Sequence, residues 1–309
     1  MELQLAIVNV PVATIWTSPD SHRDIDQPAI QNPTNLKKWL SNLTYEKRIA
    51  LSSQNLAQSQ LLYGEEVLVK EQRGDWVSIL AFHQPSKKDT KGYPGWVPRQ
   101  QLCFVEEQDW RCESSIMVTA KHSTLFFERD PQLELSYSTK LPLLALDKKN
   151  AYVQTPHGKG RINREEVTLL PNHTIEKKKG TDIVEAAKTF LGLDYLWSGM
   201  SSFGYDCSGF TYAMHKTNGY IIPRDASDQA MKGNRIPQEK AEPGDLFFFA
   251  HDQGKGRIHH VGIYLGDNHM IHAPKAGKQI EILPLQGTIY EEELVTIRRY
   301  WHEKRDENE

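Results

Sequence analysis

Three cysteines and twelve histidines are the strongest candidates for covalent and proton-transfer chemistry in this chain. Cys207 stands where a loop rich in Tyr, Trp, Ser and Gly meets the segment Ser208 to His215, in which Phe210, Ala213 and Met214 share a helical face. A thiol at a helix start meets N–H groups with no helical acceptor and the positive end of the dipole. Both favour a thiolate, so reactivity near neutral pH is expected. The same N–H groups suit the oxyanion formed when an acyl carbon is attacked. Cys103, within Leu102-Cys103-Phe104-Val105, reads as a packed strand residue, and Cys112 has no helix start beside it. A lone cysteine is equally well structural, so the histidines carry the argument.

The run His260-Val261-Gly262-Ile263-Tyr264-Leu265 alternates, with Val261, Ile263 and Leu265 on one strand face and His260, Gly262 and Tyr264 on the other. A turn signal, Gly266-Asp267-Asn268, precedes His269-Met270-Ile271-His272. Centring the hairpin on Gly266 sets His260 directly opposite His272. One imidazole can then act as general base while a second polar group orients it. Parity places His259 on the core face with Val261 and Ile263, which makes it the weaker candidate for the base. Histidines grouped near one Cys also suit zinc, but their spacing matches no standard zinc signature, so no metal and no cofactor is expected.

The elements that must position these residues follow from the pattern downstream of 180. Asp182 is placed to cap a helix running to Leu191, which Gly192 ends. Strand-like runs follow at Asp245 to Ala250, His259 to Leu265, His269 to Ala273 and Glu281 to Leu283. Helices first and antiparallel strands after them make an α+β domain, 181–309. Upstream lies a weak internal repeat. Ile7-Val8 and Ala13-Thr14-Ile15-Trp16 resemble Met117-Val118 and Thr124-Leu125-Phe126-Phe127, and Gly95-Trp96-Val97-Pro98-Arg99 resembles Gly160-Arg161-Ile162-Asn163-Arg164. Short period-2 strands bounded by turn residues predict two small all-β barrels, 1–105 and 106–170. The first carries a helical insertion at about 33–62, capped by Asn35. Pro171 to Gly180, with three consecutive lysines, reads as a solvated linker.

Composition narrows the class. The 309 residues suit two or three domains, and a net charge of −3 gives no bulk attraction for nucleic acid. No apolar run approaches the ~18 residues that a membrane helix needs. Three cysteines are too few for a disulfide framework. Residues 1–16 are apolar but lack a basic start, carry Glu2 and are broken by Pro11, so they read as a strand rather than a signal peptide. A cytoplasmic monomer is the expectation.

Tyr205-Asp206-Cys207-Ser208-Gly209-Phe210, then Pro243-Gly244-Asp245-Leu246, then His260-Val261-Gly262-Ile263-Tyr264-Leu265-Gly266, then His272-Ala273 resembles the NlpC-type branch of papain-like cysteine peptidases. The match runs from about Thr181 to the C-terminus, and the upstream repeats look like the bacterial SH3-like barrels that accompany this catalytic domain. The resemblance implies Cys207 as nucleophile, His260 as base, His272 as the orienting third residue and Tyr195 beside the oxyanion. It further implies that Trp197, Asp206, Ser208, Arg224 and Asp225 line the substrate groove. Glu65, helped by the Tyr93 hydroxyl, would pair with a free α-amino group. One departure is Trp197-Ser198-Gly199, where a second Gly is usual.

The branch most similar is that of the γ-D-glutamyl-L-diamino acid endopeptidases, which implies the murein peptide L-Ala-γ-D-Glu-L-diamino acid as substrate. A carboxylate that holds the free L-Ala amine would fix the peptide two residues before the scissile bond and disfavour intact wall, whose L-Ala is acylated. Two other readings stand beside this one. The first is a D,L-endopeptidase or N-acetylmuramoyl-L-alanine amidase acting on intact wall. The second is a non-catalytic wall-binding protein.

Overall fold

The computed structural model describes residues 3–110, 112–128 and 132–301, so the outermost ends of the expected first and last domains lie outside it. The chain divides into two compact units. The first holds Met1–His83, Lys88–Thr174 and Trp197–Gly204, and the second holds Gln84–Lys87, Ile175–Leu196 and Tyr205–Glu309.

The first unit contains two seven-stranded antiparallel sheets. In one, the strands are Gln4–Val8 (β1), Val12–Trp16 (β2), Ala57–Leu62 (β3), Glu66–Arg73 (β4), Trp76–Ala81 (β5), Tyr93–Pro98 (β6) and Leu102–Phe104 (β7). In the other they are Ser114–Val118 (β8), His122–Phe127 (β9), Leu133–Ser136 (β10), Lys140–Leu146 (β11), Asn150–Thr155 (β12), Gly158–Asn163 (β13) and Val167–Pro171 (β14). The first sheet runs β3-β2-β6-β5-β4-β1-β7, and the second runs β10-β9-β13-β12-β11-β8-β14. Taken strand by strand, these are one order used twice. In both, a single 3-10 turn separates the last two strands, Arg99–Gln101 in one and Arg164–Glu166 in the other. Alternation drives the burial: Val67 and Val69, and Val77, Ile79 and Ala81, point into the first core. Ala151 and Val153 point into the second, which also takes in Tyr63, the residue that follows β3. The Tyr63 hydroxyl is bonded to His157 Nδ1 at 2.8 Å.

The helical insertion lies between β2 and β3. It comprises Gln27–Ile30 (α1), Leu36–Asn42 (α2) and Tyr45–Ser53 (α3). Asn35 caps α2 by accepting from the Lys38 N–H at 3.1 Å. Trp39 anchors the insertion from a fully buried position, donating to Asp26 Oδ1 at 2.8 Å. Helix does not continue to residue 62. Asn55 turns the chain at φ 52°, and from Ala57 the pattern is that of a strand paired with β2, Val12 opposite Leu62. The long-range pairing overrides the leucine spacing that suggested helix. A short helix, Glu107–Trp110 (α4), connects the two sheets in sequence, and Met200–Ser201 (β15) and Gly204–Tyr205 (β16) flank a tight turn.

The second unit opens on Gly180–Lys188 (α5). Asp182 is not its N-cap but its third residue, and its carboxylate accepts from the Lys179 N–H at 2.9 Å. Cys207–Lys216 (α6) and Ala226–Gln229 (α7) follow. Residues 84–87 dock on α7, with the Lys87 N–H donating to Asp228 Oδ2 at 2.9 Å. The sheet contains Asn234–Arg235 (β17), Leu246–Ala250 (β18), Ile258–Gly266 (β19), His269–His272 (β20), Glu281–Pro284 (β21) and Leu294–Arg299 (β22), in the order β17-β22-β18-β19-β20-β21. Helix Ile289–Glu293 (α8) precedes its last strand. All five residues of β18 are buried, as befits a strand covered on both faces.

Inside α6, His215 is fully buried; its Nδ1–H donates to the Thr211 carbonyl at 2.8 Å, and Nε2 has no hydrogen-bond partner. Burial holds its pKa down to about 4. Below the ordinary value of ~6.5 the unfolded chain takes up a proton that the folded chain refuses, so this part of the stability is complete at pH 7 and shrinks as pH falls from 6.5 towards 4. His215→Leu should remove about 2 kcal/mol of the stability lost between pH 7 and pH 5. Urea unfolding of both proteins at the two pH values measures the difference.

Candidate active site

Helix α6 begins at Cys207 because Asp206 caps it: the backbone at Asp206 is extended, and its carboxylate accepts from the Gly209 N–H at 2.7 Å. That carboxylate is also gripped by Arg224, Nη2 to Oδ2 at 2.7 Å and Nη1 to Oδ1 at 3.1 Å, while Nη1 also donates to Ser208 Oγ at 2.9 Å. Both ends of the pair are buried. Asp206, Ser208 and Arg224 therefore form one internally satisfied set around the first turn of α6. Asp225 caps α7 in extended conformation without a side-chain bond to it.

The Cys207 thiol is buried, and the backbone N–H groups of Val261 and Ser208 point at it. Val261 follows His260 on β19, so the sulfur lies against the strand that carries this imidazole. His260 and His272 are both buried, and His260 Nε2 meets His272 Nδ1 at 2.7 Å. The route to this contact differs from a direct cross-strand pair. Asp267 and Asn268 form the two-residue turn with φ of 47° and 60°, as a type I′ turn requires. The register then sets Ile263 opposite Ile271 and Tyr264 opposite Met270, two residues away from a hairpin centred on Gly266. This register sets Gly262, not His260, across from His272. A Cβ at Gly262 would lie 3.4 Å from His272 Cβ and 2.6 Å from Met270 Sδ, so its absence leaves the room in which the two rings meet diagonally.

His259 is not in the core. The register slips between Phe249 and Ala250, which pair with His260 and Ile258 and leave His259 on the bulge. It is 26% exposed and bonded through Nε2 to Glu293 Oε2 at 2.9 Å. His269 is exposed and bonded to the Asp267 carbonyl.

The electrostatics run against a resting thiolate. Burial pushes the Cys207 thiol up to about 12, and Asp206 adds to this. Arg224 and the two N–H groups pull the other way without overcoming desolvation. Burial, with the neighbouring imidazoles His272 and His259, holds His260 well below the ordinary histidine range. Burial likewise holds His272 at about 4, so at neutral pH its Nε2, 3.7 Å from Glu281 Oε1, makes no ion pair. Desolvation thus disfavours the charged form of each of these groups.

Two tyrosines face this site. Tyr195 is buried, and desolvation together with the nearby Cys207 and Asp206 keeps its hydroxyl protonated far above its usual range. Tyr290 carries no motif in the sequence. Its ring sits 5.3 Å from that of His260 and 5.2 Å from that of His272, and burial raises its hydroxyl to about 12. Only the return of α8 against the sheet brings it there.

Glu65, Tyr93 and Trp197 belong to the first unit. Glu65 Oε2 accepts from the Leu62 N–H at 3.0 Å, and Trp197 Nε1 donates to the Ala57 carbonyl at 2.9 Å. The Tyr93 hydroxyl accepts from Lys88 Nζ, which also lies 4.2 Å above the ring. Ser198, standing where a Gly is usual, has φ of 65°, the left-handed region that glycine enters without strain.

Residues 192–299 match the NlpC/P60 family, and residues 118–169 match the second SH3b domain of the YKFC type. The chain is 44% identical over 297 residues to a γ-D-glutamyl-L-lysine dipeptidyl-peptidase of Bacillus subtilis, covering 94% of this chain and 97% of that protein. The chain belongs to the NlpC/P60 family. A Bacillus cereus protein bearing the same dipeptidyl-peptidase name is 42% identical over 96% of this chain and 90% of its own. The crystal structure of an NlpC/P60 family protein from Bacillus cereus superposes with a TM-score of 0.94 at 41% identity, covering 96% of this chain and all of that one. Among the described residues, no helix of this family member is long and apolar enough to cross a membrane.

A protonated resting thiol has a measurable signature. At pH 7, iodoacetamide should alkylate Cys207 at least about tenfold more slowly than a free thiol, with a rate still climbing above pH 9. A rate that levels off below pH 8 would show a resting thiolate instead.

Proposed function

We propose that this NlpC/P60 protein is a cysteine peptidase that hydrolyses the γ-D-Glu–L-diamino acid bond of murein peptides whose N-terminal L-Ala is free. The observation that carries the reading is the placement of the Cys207 sulfur against the Val261 N–H, one residue from an imidazole tied at 2.7 Å to His272. The names of the two Bacillus relatives support the substrate class. Cutting after the second residue of a peptide held by its free amine releases a dipeptide, which is what a dipeptidyl-peptidase does.

His260 donates its Nε2–H to His272 Nδ1, which leaves Nδ1 of His260 as the base. As Cys207 Sγ attacks the γ-carbonyl carbon of D-Glu, its proton passes to His260 Nδ1. A neutral pair makes this transfer part of the attack rather than a prior step. The developing oxyanion is met by the Cys207 N–H at the helix start and by the protonated Tyr195 hydroxyl. The C–N bond then breaks, and His260 returns the proton to the leaving amine. Water, deprotonated by His260, releases the dipeptide from the thioester. His272 keeps the His260 ring in plane and stabilises it when charged.

Asp206, Ser208 and Arg224 form the polar bed under the nucleophile, and with Trp197 and Asp225 they are assigned to the substrate groove. Glu65, with the Tyr93 hydroxyl, is assigned recognition of the free α-ammonium. We read the two sheets of common strand order as tandem SH3-like barrels, 1–105 and 106–170, joined through 171–180 to a papain-like α+β domain. The protein then acts as a monomer on soluble wall fragments in the cytoplasm.

Turnover of L-Ala-γ-D-Glu-L-Lys compared with its N-acetylated form tests the reading, with products identified by mass. The free peptide should be preferred by about 30-fold or more in kcat/KM, and Glu65→Gln should erase most of that preference. Cleavage of the acetylated form at equal rate, or a product cut at the muramoyl–L-Ala bond, would point to action on intact wall. Cys207→Ala should lower turnover at least about 10³-fold with an unchanged circular dichroism spectrum. A variant that keeps its activity would exclude Cys207 as the nucleophile, whereas binding of purified wall without hydrolysis by the wild type would leave the protein a wall binder.

A further inference from the structure

We propose that the second unit carries a divalent transition-metal site, with Zn²⁺ as its ion, formed by His251, His259 and Glu293. The ligand nitrogens and carboxylate oxygens of these three side chains all lie within 4.8 Å of one another. They come from the ends of three neighbouring elements. His251 directly follows β18, His259 is the bulged residue of β19, and Glu293 closes α8 just before β22. β18 pairs with both β19 and β22, Ala250 with Ile258 and Phe249 with Leu294, so the sheet register itself gathers the three.

Two nitrogens and one carboxylate form a donor set that suits zinc, with a fourth position for water. In tetrahedral coordination, donor atoms lie about 3.3 Å apart. His259 Nε2 and Glu293 Oε2, at 2.9 Å, already approach that spacing. Glu293 is buried, and a buried carboxylate with an imidazole against it is a preformed half of a site. The third donor is the adaptable one. His251 is exposed and stacks on His259 with ring centroids 4.0 Å apart, so a side-chain rotation brings its nitrogen in without disturbing the core.

The site is separate from the Cys207 thiol yet mechanically joined to its surroundings. Glu293 ends the helix whose Tyr290 ring covers His260 and His272, and His259 precedes His260 in the chain. A bound ion would pin α8 to the bulge of β19 and hold Tyr290 over the imidazole pair. It needs no step of the peptidase reaction, so it stands or falls independently of the proposed activity.

The test is calorimetric titration of the full-length protein with Zn²⁺, and spectroscopic titration with Co²⁺, in the Cys207→Ala background, where the nucleophile cannot coordinate. One ion should bind per chain, with a Co²⁺ spectrum free of thiolate charge transfer, and the melting temperature should rise as the site saturates. His251→Ala, an exposed substitution, should weaken binding at least about tenfold, as should Glu293→Gln if it folds. Absence of binding at millimolar Zn²⁺ would overturn the proposal. So would binding unchanged by His251→Ala, or binding seen in the wild type and lost in Cys207→Ala.

Discussion

The hydrogen bond between His260 and His272 is the constraint around which the second unit is organised. Two imidazoles share it at 2.7 Å in a place closed to water, and neither can easily take a second proton there. Burial makes the bond strong and directional, and it also denies the site a standing ion pair. The chemistry this permits is a proton handed over during attack.

The neighbouring charges follow the same logic. Arg224 and Asp206 are as deeply buried as the histidines, and they are tolerated because each satisfies the other and both are bonded to the start of α6. The pair does two things at once. It caps the helix that presents Cys207, and it sets opposing charges near the sulfur, Asp206 raising its pKa and Arg224 lowering it. The capping geometry and the electrostatics of the nucleophile therefore cannot be altered separately.

The first unit shows how a degenerate repeat can preserve its topology. Few residues are shared between β1–β7 and β8–β14, yet the strand order is the same in both. What the two copies retain is alternation and turn chemistry, which is enough for a small antiparallel sheet to find its pairing. The insertion between β2 and β3 is accommodated because it folds around its own anchor, the buried Trp39–Asp26 hydrogen bond, and leaves the strand order undisturbed.

Local rules were enough to place Cys207 at a helix start, to put His260 and His272 on adjacent strands, and to find the repeat, because each is a matter of neighbours in sequence. The same rules misjudged the span of the insertion, where β3 depends on pairing with β2, and the face of His259, where a bulge reversed parity. They also set the hairpin register two residues off, since a two-residue Asp267-Asn268 turn and a side-chain-free Gly262 decided it. The tertiary structure alone showed the burial that raises the thiol's pKa, because desolvation is a property of everything packed around an atom. It alone brought in Tyr290 and gathered His251, His259 and Glu293, whose meeting depends on which strands lie side by side. Sequence separation carries no trace of such neighbours, and sheet register creates them.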